Sequence, residues 1–284
     1  MAGDEWAVRE PHPELRRHVS RYIGYTQSGN LPSVHRGLPS RHVTVSISLA
    51  APIRVLALPD GTGKPSSLTG LVGGIHVGPA LIAQDAFQSG IQLELNPLGT
   101  AALLGVSSAE LAGDIVDLAD FGSPALASLA ARLAETPTWR GRFAVLDAVL
   151  RAQLAESGGV PAEIEWAWRR LTGAAGALRV ADLASEVGWS RRHFGERFRR
   201  ELGLSPKQAS RVLRFERANT LLRGEPTATR GGLAELAVLC GYYDQAHLTN
   251  EWQALAGCSP GAWIAEELPF LQAGAEGERS DSFA

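Results

Sequence analysis

Arg192, Glu196 and Arg199 recur three and four residues apart, while Phe194, Phe198 and Leu202 recur every four residues in the same segment. At 3.6 residues per turn this spacing makes a helix with a buried aromatic stripe and a charged outward face, with Arg200 beside it. Such a face has the chemistry to read base edges. An arginine bonds guanine bidentately, Asn or Gln does the same with adenine, and a carboxylate accepts from cytosine, each pair worth roughly 1–3 kcal/mol of discrimination. A second segment repeats the plan, with Leu248, Trp252 and Leu255 as its stripe and His247, Asn250 and Gln253 left outward. Between the two lies a basic row, Lys207, Arg211 and Arg214 at i, i+4, i+7, with the charge to meet phosphate. Arg214 is equally placed to tie the two flanking segments together. Glu196 has a second use as well, because it lies four residues from both Arg192 and Arg200 and can pair with either.

Other chemistry is thinly represented. His12, His35, His42 and His76, with Glu94, are the candidates for a metal or catalytic cluster in the first half. They contain no His-X-His, and His42 is out of phase with the apolar residues of its strand, so they read as surface or strand-end histidines. The Gly73-Gly74 pair, Gly99 and Gly105 are followed by no Lys-Ser/Thr at phosphate-loop spacing. Ser107 and Ser108 have no neighbouring His or Asp to activate them. No catalytic residue, metal or cofactor is therefore expected. The two cysteines, Cys240 and Cys258, make no disulfide framework and read as small buried residues in a reducing cytoplasm.

The elements that position the outward faces can be read from local signals. Positions 180–187 have helical periodicity with Ala181, Leu183, Ala184 and Val187 inward; Gly188 supplies the turn, and Ser190 caps a helix reaching about 202. Ser205 and Pro206 start a third helix to about 223, roughly 27 Å long at 1.5 Å per residue. Its apolar positions, from Ala209 to Leu222, are too many for one narrow stripe and suit a shaft clamped between two small units. Then the plan repeats: a helix over 233–240, Gly241 at the turn, a helix opening near Gln245, and a closing helix from Pro260 to about 267.

These features together resemble the DNA-binding domain of the AraC/XylS family of bacterial regulators. The matching residues are Leu183-Ala184 to Gly188, Ser190, Phe194 to Phe198, Gly203-Leu204-Ser205-Pro206, Arg214 with Ala218 and Leu222, Gly241 to Gln245, and Gly257-Cys258-Ser259-Pro260; they span roughly 90 of 284 residues. The resemblance implies two recognition helices in successive major grooves of double-stranded DNA, about 34 Å apart. By position it makes Arg192, Gly195 and Glu196 base-facing in the first helix, and Gln245, His247, Thr249 and Asn250 in the second. Arg191, Arg199, Lys207 and Arg211 are then expected at phosphates. Many family members carry a basic residue where this chain has Glu196 and Asn250, which leaves the role of those two open.

Length favours two domains. Net charge is −3 overall, but residues 160–265 hold 14 Lys/Arg against 11 Asp/Glu, residues 1–159 hold 12 against 14, and residues 266–284 hold 1 against 5. Cation is thus mildly concentrated where the motifs place DNA. No signal peptide or long apolar run is evident, so a cytoplasmic protein without membrane insertion is expected.

In the first half, residues 1–17 read as an irregular arm, 21–26 as a strand and 32–39 as a loop. Further strands are expected over 42–49, 53–58, 68–77, 80–87 and 90–95, which implies a small barrel or sandwich. Asn96-Pro97 opens a helical tail with a capping box at Ser107–Glu110 and helices over 123–135, 138–156 and 160–172. Trp166 and Trp168 are expected to pack. This half resembles the cupin-like domain of some AraC-type regulators, on Asn96-Pro97-Leu98-Gly99, Leu103-Leu104-Gly105-Val106 and the helix from Trp139 to Leu150.

The expected fold is α+β: a cupin-like β-barrel with a helical tail over 1–157, a double helix-turn-helix domain with a linker helix over 160–268, and a disordered tail over 273–284. The expected function is sequence-specific transcription regulation, as activator or repressor, modulated by a small-molecule effector in the N-terminal domain. RNA polymerase and a second copy of the chain are the further partners considered. The rivals are a metal-dependent barrel enzyme with a degenerate helix-turn-helix domain, and a protein-docking module built on the same helices.

Overall fold

The computed structural model describes residues 4–29, 33–63, 65–155, 159–224 and 232–267. Residues 1–3 of the expected arm, Pro32, Ser157 and Gly158 at the expected boundary, and the 273–284 tail lie outside the described residues.

Among the described residues the first half holds ten strands: β1 (Glu5–Arg9), β2 (Val19–Ser28), β3 (Val34–Gly37), β4 (Val43–Ser48), β5 (Ile53–Ala57), β6 (Ser66–Leu68), β7 (Gly70–Gly73), β8 (Ala80–Ala83), β9 (Phe87–Leu95) and β10 (Ile115–Asp117). The expected barrel is built from two antiparallel sheets, one ordered β1-β2-β9-β4-β7-β10 and the other β3-β8-β5-β6. Strand period sets the layers. Across β2, β9, β4 and β7 the register aligns Tyr22, Leu93, Val45 and Val72, and all four are buried.

That face packs on the helical tail: α1 (Thr100–Leu104), α2 (Ser108–Leu111), α3 (Pro124–Ala127), α4 (Leu129–Glu135) and α5 (Trp139–Gln153). Tyr22 stacks on Phe143 with centroids 5.9 Å apart. A Cβ at Gly24 would sit 2.5 Å from the Trp139 ring, so glycine is what lets α5 approach. Asp147 of α5, buried, accepts from Tyr22 Oη, His12 N and Arg9, fixing the chain's start to the tail. The Ser107–Glu110 capping box is present.

Several boundaries differ from expectation. The arm contains β1, whose partner is β2, and the loop over 32–39 contains β3, paired with β8. Both are edge strands with half-polar sequences, and only pairing identifies them. Gly90 does not begin a strand but lies inside β9, where Ile47 O and Tyr25 Oη approach to 2.8 Å of where its Cβ would be. The expected 68–77 strand is divided into β6 and β7 and ends at Gly73. The expected 123–135 helix is two helices meeting at Ser128.

Among the described residues the elements of the second half are all helices: α6 (Ala162–Gly173), α7 (Val180–Glu186), α8 (Arg191–Leu202), α9 (Pro206–Gly224), α10 (Gly232–Leu239), α11 (Gln245–Ala256) and α12 (Pro260–Glu266). Trp168 is buried, its ring 6.3 Å from Phe198, and Trp166 is half-buried, so both pack as expected. Among the described residues no helix is long and apolar enough to cross a membrane.

Candidate nucleic-acid interface

The first unit is α7, a tight turn and α8. Gly188 turns at φ +72°, a conformation that costs any residue with a Cβ. Ser190 Oγ then accepts from His193 N at 3.2 Å and starts α8. Phe194, Phe198 and Leu202 are 0 % exposed, each burial worth roughly 1.5–3 kcal/mol. Leu183 and Ala184 are buried too, but Ala181 is exposed and Val187 only half-buried, contrary to expectation. Ala181 instead lines a surface groove beside α8.

The stripe leaves Arg191, Arg192, Glu196 and Arg199 exposed, and a Cβ at Gly195 would meet open space. Glu196 is paired with Arg192 at 2.9 Å, on groups 62 % and 89 % exposed. Its other candidate, Arg200, lies 3.5 Å from Glu201. A pair this exposed contributes little and opens readily when a competing partner arrives.

The second unit is α10, a turn at Gly241 (φ +73°) and α11. Asp244 caps α11, accepting from His247 N at 2.7 Å. Leu248, Trp252 and Leu255 are 0 % exposed. Of the four side chains expected to face bases, Gln245 and Asn250 are exposed, whereas His247 and Thr249 are half-buried. His247 packs edge-on with Tyr242 and its Nδ1 accepts from Tyr243 N at 3.3 Å. Thr249 Oγ1 donates to Gln245 O. Tyr243, immediately before the cap, is 90 % exposed and was not anticipated from the sequence; no periodicity marks a residue inside a turn.

The shaft α9 is 19 residues, about 28 Å. Its buried positions run right round it, from Ala209, Val212 and Leu213 to Phe215, Ala218 and Leu222, and Phe215 packs edge-on against Trp252 at 4.8 Å. The basic row divides on folding. Arg211 Nε is 2.7 Å from Glu251 Oε2 on α11. Arg214 Nη1 donates to Gly241 O and the guanidinium lies 5.5 Å above the Tyr242 ring. These two hold the second unit to the shaft, as the sequence allowed for Arg214 and not for Arg211. Lys207 is exposed and has no ion-pair partner among the described residues.

The β half grips both units away from these outward faces. Ser108 Oγ of α2 donates to Leu202 O at the end of α8, and Gly203 (φ +83°) would put a Cβ 2.3 Å from Ala112. Arg41 meets Glu216 of the shaft at 2.7 Å; burial pushes the Glu216 carboxyl up against that pull. At the far end Glu267, 1 % exposed, accepts from His35 Nδ1 at 3.0 Å and Arg36 N at 3.1 Å. Burial would raise its carboxyl, but the hydrogen bonds and charges of His35 and Arg36 outweigh it and hold it below the usual range.

The histidines do not converge. His35 goes to Glu267, His76 to the Gly78 carbonyl, His12 to the Glu14 backbone, and His42 lies between Ser20 and Glu94. Among the described residues no three His, Cys, Asp or Glu are grouped to hold a metal. The sheet face opposite the helical tail carries Tyr25, Gln27, Thr44, Ser46 and Gln92, with the apolar Ile23 and Leu71 in register among them. None of their side chains has a hydrogen-bond partner among the described residues, and the Trp6 indole N–H beside Tyr25 is buried without one.

Fold and exposed faces together define a helix-turn-helix protein, an antiparallel β half gripping two such units on one shaft. Residues 183–266 match the family described as Helix-turn-helix domain, over the same segment whose motifs resemble the AraC/XylS DNA-binding domain. Among solved structures the chain is similar to ToxT from Vibrio cholerae. An apo ToxT variant from strain SCE256 aligns with TM-score 0.51 at 8 % identity, over 91 % of this chain and 99 % of that one. A further ToxT crystal form gives 0.51 at 9 %, over 93 % and 99 %. Wild-type ToxT bound to an unsaturated fatty acid gives 0.50 at 8 %, over 91 % and 97 %. At such identity the likeness is one of fold, and it extends over both halves. No curated protein matches the chain.

Proposed function

We propose that the protein is a sequence-specific DNA-binding transcription regulator whose β half controls the double helix-turn-helix domain. The observation that carries this is the pair of outward faces, Arg192, Gly195 and Glu196 on α8 and Gln245 and Asn250 on α11, both left free of the protein's own packing. A 19-residue shaft of about 28 Å, with lateral offsets, suits the roughly 34 Å between successive major grooves. Arg191, Arg199 and Lys207 supply phosphate contacts, which position the faces without reading sequence. A retardation assay on genomic fragments, including the stretch upstream of the coding region, repeated at two salt concentrations, tests it. Fragment-selective binding is expected; equal weak binding to every fragment refutes sequence specificity.

The boundary we adopt is at 157–160, with the sensing half before it. Control by a small molecule is supported by two things: the unpartnered polar side chains of Tyr25, Gln27 and Gln92 on that sheet face, and the grip of the β half on both units through Glu216 and Glu267. ToxT, of the same fold, has been solved with a fatty acid bound. A polar effector suits this face better than an aliphatic one, since each unpaired amide or hydroxyl left against hydrocarbon costs free energy.

A further inference from the structure

Two clefts open beside the start of the shaft, one against the first unit and the other reaching the second. The first, about 580 Å³, is bordered by Gly195 of α8, Arg191, Arg179, Ala181 and the start of the shaft at Lys207. The second, about 300 Å³, continues from Lys207 along Ser210 and Arg214 to Gly241, three residues ahead of the Asp244 cap of α11. Val180 and Lys207 line both, so the clefts are one groove. It leaves from the base-facing position of the first recognition helix and arrives at the turn leading into the second. Four cations line it and no carboxylate does. Arg179, Arg191 and Lys207 are exposed and without an ion-pair partner among the described residues, which leaves their charge uncompensated.

We propose that this groove is the track of one DNA strand between the two major grooves. Its sugar-phosphate backbone crosses over Val180 and Lys207, with Arg179 as a phosphate contact that the helix patterns do not indicate. A polyanion is the occupant that fits a groove whose charged lining is all cationic, and its two ends lie beside Gly195 of the first helix and the turn into the second. The apolar floor of Val180, Ala181 and Pro206 suits sugar edges and excludes water beneath the contacts. The proposal rests on the DNA-binding reading above.

The test uses the full chain and a duplex fragment that it retards, with the equilibrium constant followed from 50 to 200 mM salt. Each phosphate contact removed lowers the slope of log K against log salt by about 0.9. Arg179→Ala and Lys207→Ala should each lower it by that amount, and the double variant by about 1.8, equally on selected and unselected duplexes. Arg179→Lys should restore the slope, and Arg140→Ala, exposed on α5, should leave it unchanged. Circular dichroism of each variant secures the fold. A wild-type slope in both Arg179→Ala and the double variant overturns the track while leaving DNA binding intact. A wild-type chain that retards no duplex at any salt overturns the track together with the reading beneath it.

Discussion

Replacing Glu267 by alanine removes a carboxylate that is 1 % exposed and leaves three donors facing the gap: His35 Nδ1 from 3.0 Å, Arg36 N from 3.1 Å and Arg36 Nη1 from 3.4 Å. Removing one partner of a buried pair costs about 3–5 kcal/mol, mostly because the remaining charge and donors stay desolvated. Here the loss is smaller. Arg36 keeps Glu266 at 2.7 Å and is 20 % exposed, and His35 is 29 % exposed, so water reaches both. About 2–3 kcal/mol is the expected cost, with Glu267→Gln nearer 1 kcal/mol because its amide oxygen still accepts. Urea titration followed by tryptophan fluorescence reads it, with Trp263 one turn away on α12 as a local reporter. The contact joins β3 to the end of the second unit, so Glu267→Ala should also make α12 more susceptible to limited proteolysis under native conditions. The contribution has a definite pH dependence. A carboxyl held below its ordinary value stabilises above its unfolded pKa, and that stability disappears as pH falls through the folded one. The wild-type and Glu267→Ala stabilities should therefore converge in acid. A difference below about 0.5 kcal/mol at pH 7, or one that does not shrink in acid, would show that the two halves are not held by this carboxylate.

His42 behaves in the opposite chemical sense but with the same pH direction. Burial depresses it to about 4 against the pull of Glu94, so it folds neutral, and the stability present above about 6.5 is lost between there and about 4, on the order of 3 kcal/mol. His42→Gln should flatten that limb of the stability profile; an unchanged limb assigns it to another group. Gly203→Ala should cost about 2–4 kcal/mol, since φ +83° adds strain and the new Cβ lies 2.3 Å from Ala112 on the β half. Gly188→Ala, at φ +72° with nothing within 4 Å, should cost about 1 kcal/mol, and equal costs in urea melts would mean that α2 yields freely. Arg192→Ala should lose roughly 1–3 kcal/mol at a selected site and relax preference at one base pair. Equal weakening on every duplex makes Arg192 a phosphate contact instead.

The helix-turn-helix half was legible element by element because its instructions are local. Each helix is specified by a stripe repeating every three or four residues, a cap such as Ser190 or Ser259, and a glycine whose backbone alone adopts the left-handed turn. All of these act within about a dozen residues, so they can be read without knowing what lies nearby in space. The β half was legible only in outline. Whether Glu5–Arg9 or Val34–Gly37 is a strand depends on a partner found elsewhere in the chain, and Gly90 reads as a break until Ile47 and Tyr25 are seen pressed against it.

The same division runs through the site. Periodicity alone placed Arg192, Glu196 and Asn250 on the wet sides of two amphipathic helices, because it separates a buried side from an exposed one; Gln245 came only with the family resemblance, and His247, given the same outward side, is half-buried against Tyr242. Tertiary structure decided which cations remained available. Arg211 and Arg214 look identical to Lys207 on a helical wheel, yet Glu251 and Gly241 claim them, while Arg179 enters the groove from a loop with no pattern of its own. Charge is a property of a residue, but its availability depends on what packs within hydrogen-bonding reach, and that is settled only when distant segments meet.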